Sequence, residues 1–341
     1  MGGLRQSPVM NYKPCLPLAA LAAALLLPAP APAAAGAATI TRTNYHGWPD
    51  CLVLNNGAAT AVVVPAVGRV MQFGFAGEEG VFWENRALAG RLFTGEEKEW
   101  TNLGGDKTWP SPEEQWGKFT GRQDWWPPRA FDGLPHEARI ENGAVLLISP
   151  EDPHYGIRVT RRIRLDPAEP VMSIATTYQR ARGAPAKIGV WVITQLKDPV
   201  AVFAPLLPET KSPEGYALLS KSRPPSAAVV TPAPGRRMLT MKRDPKSAYK
   251  IGCAADTLIW VGRRHALRID SPRMPGAEHP DQDSNAEIYT NPNPLEYVEL
   301  EMLGPLFELG PGDEMARVNV YTLYRVTETD PAKTAARIMG W

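Results

Sequence analysis

The chain has 341 residues, with 37 Lys+Arg against 36 Asp+Glu and a formal net charge of +1. So even a balance lacks the positive excess that binding through counterion release requires, which argues against a nucleic-acid partner, and it excludes an acidic disordered chain. At 44 % hydrophobic, with 35 Pro and 29 Gly, the sequence can build a core, but long helices are excluded because proline interrupts helix interiors.

Residues 1–38 read as a signal peptide. Arg5 and Lys13 supply a positive start, residues 16–27 are an unbroken apolar run, and small residues up to Ala38 offer cleavage sites. The run is too short to span a bilayer comfortably. Cys15 precedes it, so the pattern of a lipid-modified cysteine is missing. The expectation is a periplasmic or secreted protein with no membrane segment in its mature form and a single domain over residues 39–341. Cys51 and Cys253 then remain, either bridged or as two buried thiols. No third ligand type clusters near them, so neither a metal nor another cofactor is expected.

From residue 59 onward the dominant signal is period two. Residues 156–165 place Ile157, Val159, Ile163 and Leu165 on one face and Arg158, Thr160, Arg162 and Arg164 on the other. The same reading predicts strands at 59–64, 70–75, 145–148, 171–178, 188–195, 258–261, 297–302 and 317–326. Turn residues separate them, such as Glu141-Asn142-Gly143 and Asp166-Pro167. Sequential strands without intervening helical patterns predict an all-β fold, a large antiparallel β-sandwich. One short C-terminal helix follows, with Asp330 as N-cap and Pro331 at its first position. Residues 96–132, which hold five Trp, and residues 205–237, rich in Pro, Ser and Ala, read as loops. A long ordered loop of the first kind is more often functional than idle.

The strand Tyr297-Val298-Glu299-Leu300-Glu301-Met302 is the most informative. Alternation puts Val298, Leu300 and Met302 on the core face and Tyr297, Glu299 and Glu301 on the other. Repulsion between two carboxylates about 7 Å apart on one face, with some burial, raises one pKa toward the range of a general acid or base. A solvated outer face fits the spacing as well.

Downstream come Leu303-Gly304-Pro305, then Leu309-Gly310-Pro311-Gly312-Asp313, then a closing strand with Tyr321-Thr322-Leu323-Tyr324. This run resembles the C-terminal part of the aldose 1-epimerase (galactose mutarotase) family. The stretch from Asn102-Leu103-Gly104-Gly105-Asp106-Lys107-Thr108-Trp109 to Pro110-Ser111-Pro112 is similar to that family's Gly-Gly turn beside the sugar. Together the two motifs most resemble an uncharacterised family of exported bacterial mutarotase-like proteins. The resemblance implies a galactose mutarotase-like supersandwich over roughly residues 40–326, with a small-molecule carbohydrate or glycan bound in a cleft on one sheet. It places Glu301 at the position of the general base, which takes the proton of the anomeric hydroxyl while a His protonates the ring oxygen. It also puts Arg69, Glu84 and Asn85 near the same mouth.

The chain departs from that pattern at two points: Leu103 stands where mutarotases have His before the Gly-Gly, and Gln195 is the nearest counterpart of their catalytic His. Neutral Gln binds a hydroxyl but cannot act as a general acid. Lys107, Asp106 and Lys197 are the candidates for the missing acid. Gly105 lets backbone approach a ligand closely, and indole faces such as Trp109 and Trp126 stack on the C–H faces of sugars. The catalytic candidates are thus Glu301, Lys107 and Asp106, and the substrate-binding candidates Asn102, Gly105, Trp109, Gln195, Glu299, Arg69 and Trp126. The Asp281-x-Asp283-x-Asn285 spacing is reminiscent of a calcium loop, but its glycine and closing Glu are missing. Two functions follow: an epimerase-like isomerase acting by proton transfer, or a non-catalytic glycan-binding module of a polysaccharide-utilisation system.

Overall fold

The computed structural model describes residues 38–123, 125–219, 228–233 and 236–341. The signal peptide assigned to residues 1–38 therefore lies, but for Ala38, outside the described residues. Two antiparallel sheets form the framework of the described residues. The larger, eleven-stranded sheet runs in the order Thr39–Tyr45, Trp48–Asn55, Ala59–Val64, Arg69–Phe75, Asp106–Ser111, Ala186–Lys197, Tyr297–Leu303, Ala286–Thr290, Tyr249–Cys253 and Ala217–Leu218, with Phe307–Leu309 beside the start of Ala186–Lys197. The ten-stranded sheet runs Ala228–Ala233, Arg236–Met241, Ala201–Leu206, Thr257–Val261, His265–Asp270, Glu314–Arg325, Val171–Arg180, Ile157–Leu165, Ala144–Ile148 and Glu137–Glu141.

Each strand expected from alternation is present within a few residues of its anticipated ends. The physical reason is a shared core. Leu52, Val63 and Phe73 from one sheet pack with Leu147, Ile163, Ile174 and Leu323 from the other, so the strands that build this core need one apolar face. The terminal helix also forms, over Pro331–Met339. The Asp330 carboxylate accepts from the Ala332 N–H at 2.9 Å, and Gly340 closes the helix at φ 69°. Cys51 and Cys253 are buried free thiols.

Two expected loops contain strands. Within residues 205–237 the described parts include Ala217–Leu218 and Ala228–Ala233, which extend the two sheets at their edges. Within residues 96–132, Asp106–Ser111 is a fully buried central strand. Its sequence hides this because polar residues occupy both faces and Pro110 lacks a donor. Pro110 opposes Val190, and its carbonyl accepts from Trp116 Nε1–H at 2.7 Å. The neighbouring Arg69–Phe75 strand pairs with this one only at Val70 and Asp106, so no ladder partner stands where the proline N–H is missing.

Candidate functional site

Five adjacent strands of the larger sheet build one polar face. Their register aligns Lys107, Ile193, Glu301, Glu287 and Gly252 in one row and Gln195, Glu299, Tyr289 and Lys250 in the next, with Trp109, Trp191 and Leu303 beyond. Residues directly opposite in a ladder share a side of the pleat, so these side chains project together, away from the inter-sheet core. Val298, Leu300 and Met302 point the other way and are fully buried in that core.

Glu301 is 1 % exposed. Its carboxylate accepts from Trp191 Nε1–H at 2.7 Å and lies 2.9 Å from the Lys250 ammonium, which is 2.5 Å from Glu287. Burial alone would depress that ammonium, but Glu287 and Glu301 together hold it well above the usual lysine value. Burial pushes the Glu287 carboxyl well up despite Lys250.

The second pair is less tightly tied. Gln195 donates its amide N–H to Glu299 at 2.7 Å, and the Lys107 ammonium is 3.7 Å away. Burial raises Glu299 to about 7, with Lys107 opposing the shift. Lys107 is fully buried, and its Nζ has no hydrogen-bond partner. It lies 4.5 Å from the centroid of Trp109 and 5.5 Å from that of Trp100, and the ring faces offset part of its desolvation. Burial nonetheless lowers its pKa, against the pull of Glu299.

Five indoles wall this face. Trp100, Trp109, Trp116, Trp125 and Trp191 pack with ring centroids 5.2 to 6.2 Å apart. Trp125, 46 % exposed, forms the outer edge, and its Nε1–H donates to Glu113 at 2.7 Å. Burial raises the Glu113 carboxyl as well. The other side of the pleat carries a separate ion pair.

Of the residues singled out from sequence, Lys107, Trp109, Gln195, Glu299 and Glu301 come together here. Asp106 does not. It faces the inter-sheet core, where its carboxylate takes the Arg161 guanidinium, Thr194 Oγ1–H at 2.6 Å and Tyr321 O–H at 2.7 Å. Arg69 acts at one remove: it pairs with Asp132 and donates to the Gly104 carbonyl at 2.7 Å, and Asp132 accepts from Trp100 Nε1–H. Trp126 is not among the packed rings; the guanidinium groups of Arg122 and Arg129 lie 4.7 and 4.4 Å from its ring centroid. Asn102 turns its side-chain oxygen onto the Gly104 N–H at 3.2 Å, and Lys197 pairs with Glu79.

The Gly-Gly turn has a reason other than ligand approach. A Cβ on Gly104 would lie 2.2 Å from the Trp83 carbonyl, and one on Gly105 would lie 2.7 Å from that of Val70. Both glycines also have positive φ. The turn is glycine because backbone packs on backbone there. The calcium-like spacing is likewise committed elsewhere: Asp283 pairs with Arg273 and Lys211, and Asn285 bonds both backbone groups of Ala255. Among the described residues no group of three or more His, Cys, Asp and Glu is placed to hold a metal ion.

Sequence reasoning missed Lys250, Glu287, Tyr289, Trp191 and Glu113. The signal available was alternation in Tyr249–Cys253 and Ala286–Thr290, which puts Lys250 opposite Tyr289 and Glu287 opposite Glu301.

No family model matches the sequence, and no curated relative does. Solved structures do match in fold. A galactose mutarotase-like protein from Lactobacillus casei is 9 % identical, with 80 % of this chain and 100 % of that one covered and a TM-score of 0.53. A galactose mutarotase-like protein from Clostridium acetobutylicum is 8 % identical, with 85 % and 99 % covered and a TM-score of 0.52. A TPR-domain containing protein from Parabacteroides distasonis is 14 % identical at a TM-score of 0.51, and 80 % of this chain matches 46 % of that longer one. The chain has the galactose mutarotase-like fold.

Proposed function

We propose that the protein binds a carbohydrate on the Glu299 and Glu301 face and moves a proton at its anomeric centre, as an aldose 1-epimerase-like isomerase. One observation carries this reading. A buried carboxylate, Glu301, is held by Trp191 and Lys250, while on the same sheet face a buried ammonium, Lys107, lies on indole rings without a hydrogen-bond acceptor. The indoles suit the C–H face of a sugar, and the polar groups between them suit its hydroxyls.

In this reading Glu301 takes the proton of the anomeric hydroxyl as the ring C–O bond breaks, and Lys107 protonates the ring oxygen. Reclosure on either face of the carbonyl returns both protons. Lowering of the Lys107 pKa by burial suits an acid that must give up its proton, and Glu299, raised to about 7, is within reach to restore it. The mutarotase-like folds of the solved neighbours support a sugar as the ligand. The apolar run at residues 16–27 supports an exported, periplasmic or secreted location.

The test is exchange between sugar anomers, followed by NMR across a panel of aldoses. Glu301→Gln abolishes exchange and leaves sugar binding, read by thermal shift, within tenfold; unchanged exchange in this variant refutes the role. A second reading, a non-catalytic glycan-binding module, is favoured by where the histidines lie. His46 meets Arg86, His136 the Leu134 carbonyl, His154 the Asp152 turn, His265 Glu78 and His279 the Ala277 carbonyl. Binding without exchange in the parent protein selects this reading.

A further inference from the structure

A separate cavity of about 520 Å³ opens where Gly304-Pro305, the Phe307–Leu309 strand, residues 271–274 and the first half of Glu314–Arg325 meet. None of the Lys107, Glu299, Glu301, Lys250 or Glu287 side chains lines it. Its walls are largely apolar, including Val190, Pro305 and Met315. At its mouth Met274, Phe307 and Val318 are 48 %, 41 % and 49 % exposed. An apolar hollow of this size is within the range that holds small organic ligands.

One cation lines it. Arg317, the only cationic residue of the lining, is 8 % exposed. It donates through one terminal N–H to the Ser271 carbonyl at 3.0 Å, and its Nε is buried without an acceptor. Of the three other buried arginines, Arg69 and Arg161 each pair with a carboxylate, and Arg180 donates to the Ala184 carbonyl. Among the described residues none pairs with Arg317. Burial draws its pKa down to about 10, with Asp256 opposing from a distance, so the group is still a cation at neutral pH. A buried charge is ordinarily compensated by a partner, and Arg317 lines a largely apolar cavity.

The acids of the lining do not serve. Asp313 turns its carboxylate onto the Gly310 N–H at 2.8 Å, and Glu308 and Glu314 are exposed. These three give the mouth a negative rim, which disfavours a second anionic end on a ligand already anchored within.

We propose that this cavity binds an amphiphilic monocarboxylate, with the carboxylate on Arg317 and an unbranched or flat apolar body against Val190, Pro305 and Met315. Arginine suits this role because its planar fork makes charge-assisted bonds to a carboxylate. The site is independent of the carbohydrate reading.

The test titrates octanoate, 1-octanol and the dicarboxylate suberate into the full chain carrying 13C-methyl methionine, with the Met274 and Met315 methyls as reporters. Octanoate shifts both methyls saturably, and 1-octanol and suberate bind at least tenfold more weakly. Arg317→Gln lowers octanoate affinity at least tenfold and leaves that of 1-octanol unchanged. Val318→Trp, at the exposed mouth, blocks octanoate with Arg317 intact, so the idea remains testable if the buried substitution prevents folding. Three results overturn it: no saturable shift with octanoate, equal affinity for octanoate and 1-octanol, or octanoate binding that survives Val318→Trp.

Discussion

Asp106→Asn separates a structural role from a catalytic one. The Asp106 and Arg161 side chains are 0 % and 1 % exposed and form an ion pair across the two sheets, with Thr194 and Tyr321 filling the remaining acceptor positions of the carboxylate. Replacing the carboxylate by an amide keeps the shape but leaves the guanidinium charged and unpaired in the core. Removing one partner of a buried pair costs about 3–5 kcal/mol, most of it from the orphaned charge. An unfolding entropy of about 2 cal/mol/K per residue, over roughly 300 ordered residues, gives about 0.6 kcal/mol/K. A loss of about 4 kcal/mol then lowers Tm by about 7 °C. Urea unfolding followed by tryptophan fluorescence measures the loss directly. Adding Arg161→Met removes the orphaned charge and restores at least half of it, since contacting sites are strongly non-additive. An Asp106→Asn variant within about 1 kcal/mol of the parent refutes this structural role. Loss of anomer exchange at unchanged stability would instead make Asp106 part of the chemistry.

Three further outcomes are expected. Glu299 titrates near 7 when folded against 4.5 ordinarily, so between those values the folded chain holds a proton that the unfolded chain has released. Its contribution to stability therefore falls as pH rises from about 4.5 to 7, by about 3 kcal/mol, and Glu299→Gln flattens that slope in urea titrations across the window. Lys107→Met removes the cation that opposes this shift, so the Glu299 carboxyl, observed by 13C NMR, titrates above its parent value; an unchanged midpoint refutes the coupling. Gly104→Ala places a Cβ 2.2 Å from the Trp83 carbonyl at a φ of 92° and costs about 2 kcal/mol or more in chemical denaturation.

What the sequence made legible follows from which faces are apolar. Residues 156–165 and 297–302 could be read because the core needs one apolar face per strand and leaves the other polar. Asp106–Ser111 escaped because both of its faces are partly polar and a proline interrupts it. Both properties make sense only once Arg161, Tyr178 and Tyr321 are known to lie on one side and the indoles on the other. Glu301 was found through its neighbour Glu299. Lys250 and Glu287 are single charges whose alternation on short strands does not by itself distinguish them from solvated residues, and their meaning arises from a register that pairs segments far apart in sequence. Trp126 and Trp125 are adjacent and of one type, so composition could not tell which joins Trp109.

The Asp106–Ser111 strand divides its work by parity. Asp106 and Thr108 point inward: the first holds Arg161, and the second shares a 2.7 Å hydrogen bond with Tyr178 while donating to the Trp191 carbonyl at 2.8 Å. Lys107 and Trp109 point to the opposite side and furnish the cation and one wall of the proposed sugar site. Thr108→Val and Lys107→Met, one residue apart, should therefore act on different observables. Thr108→Val leaves the Tyr178 hydroxyl proton free for the Trp109 carbonyl, 2.7 Å away, so it costs about 1 kcal/mol and leaves the sugar response unchanged. Lys107→Met removes a buried ammonium that has no hydrogen-bond partner, so it abolishes exchange or weakens binding without a matching loss of stability. If both variants move stability and sugar response together, the two faces of this strand are one mechanical unit and the division by parity is wrong.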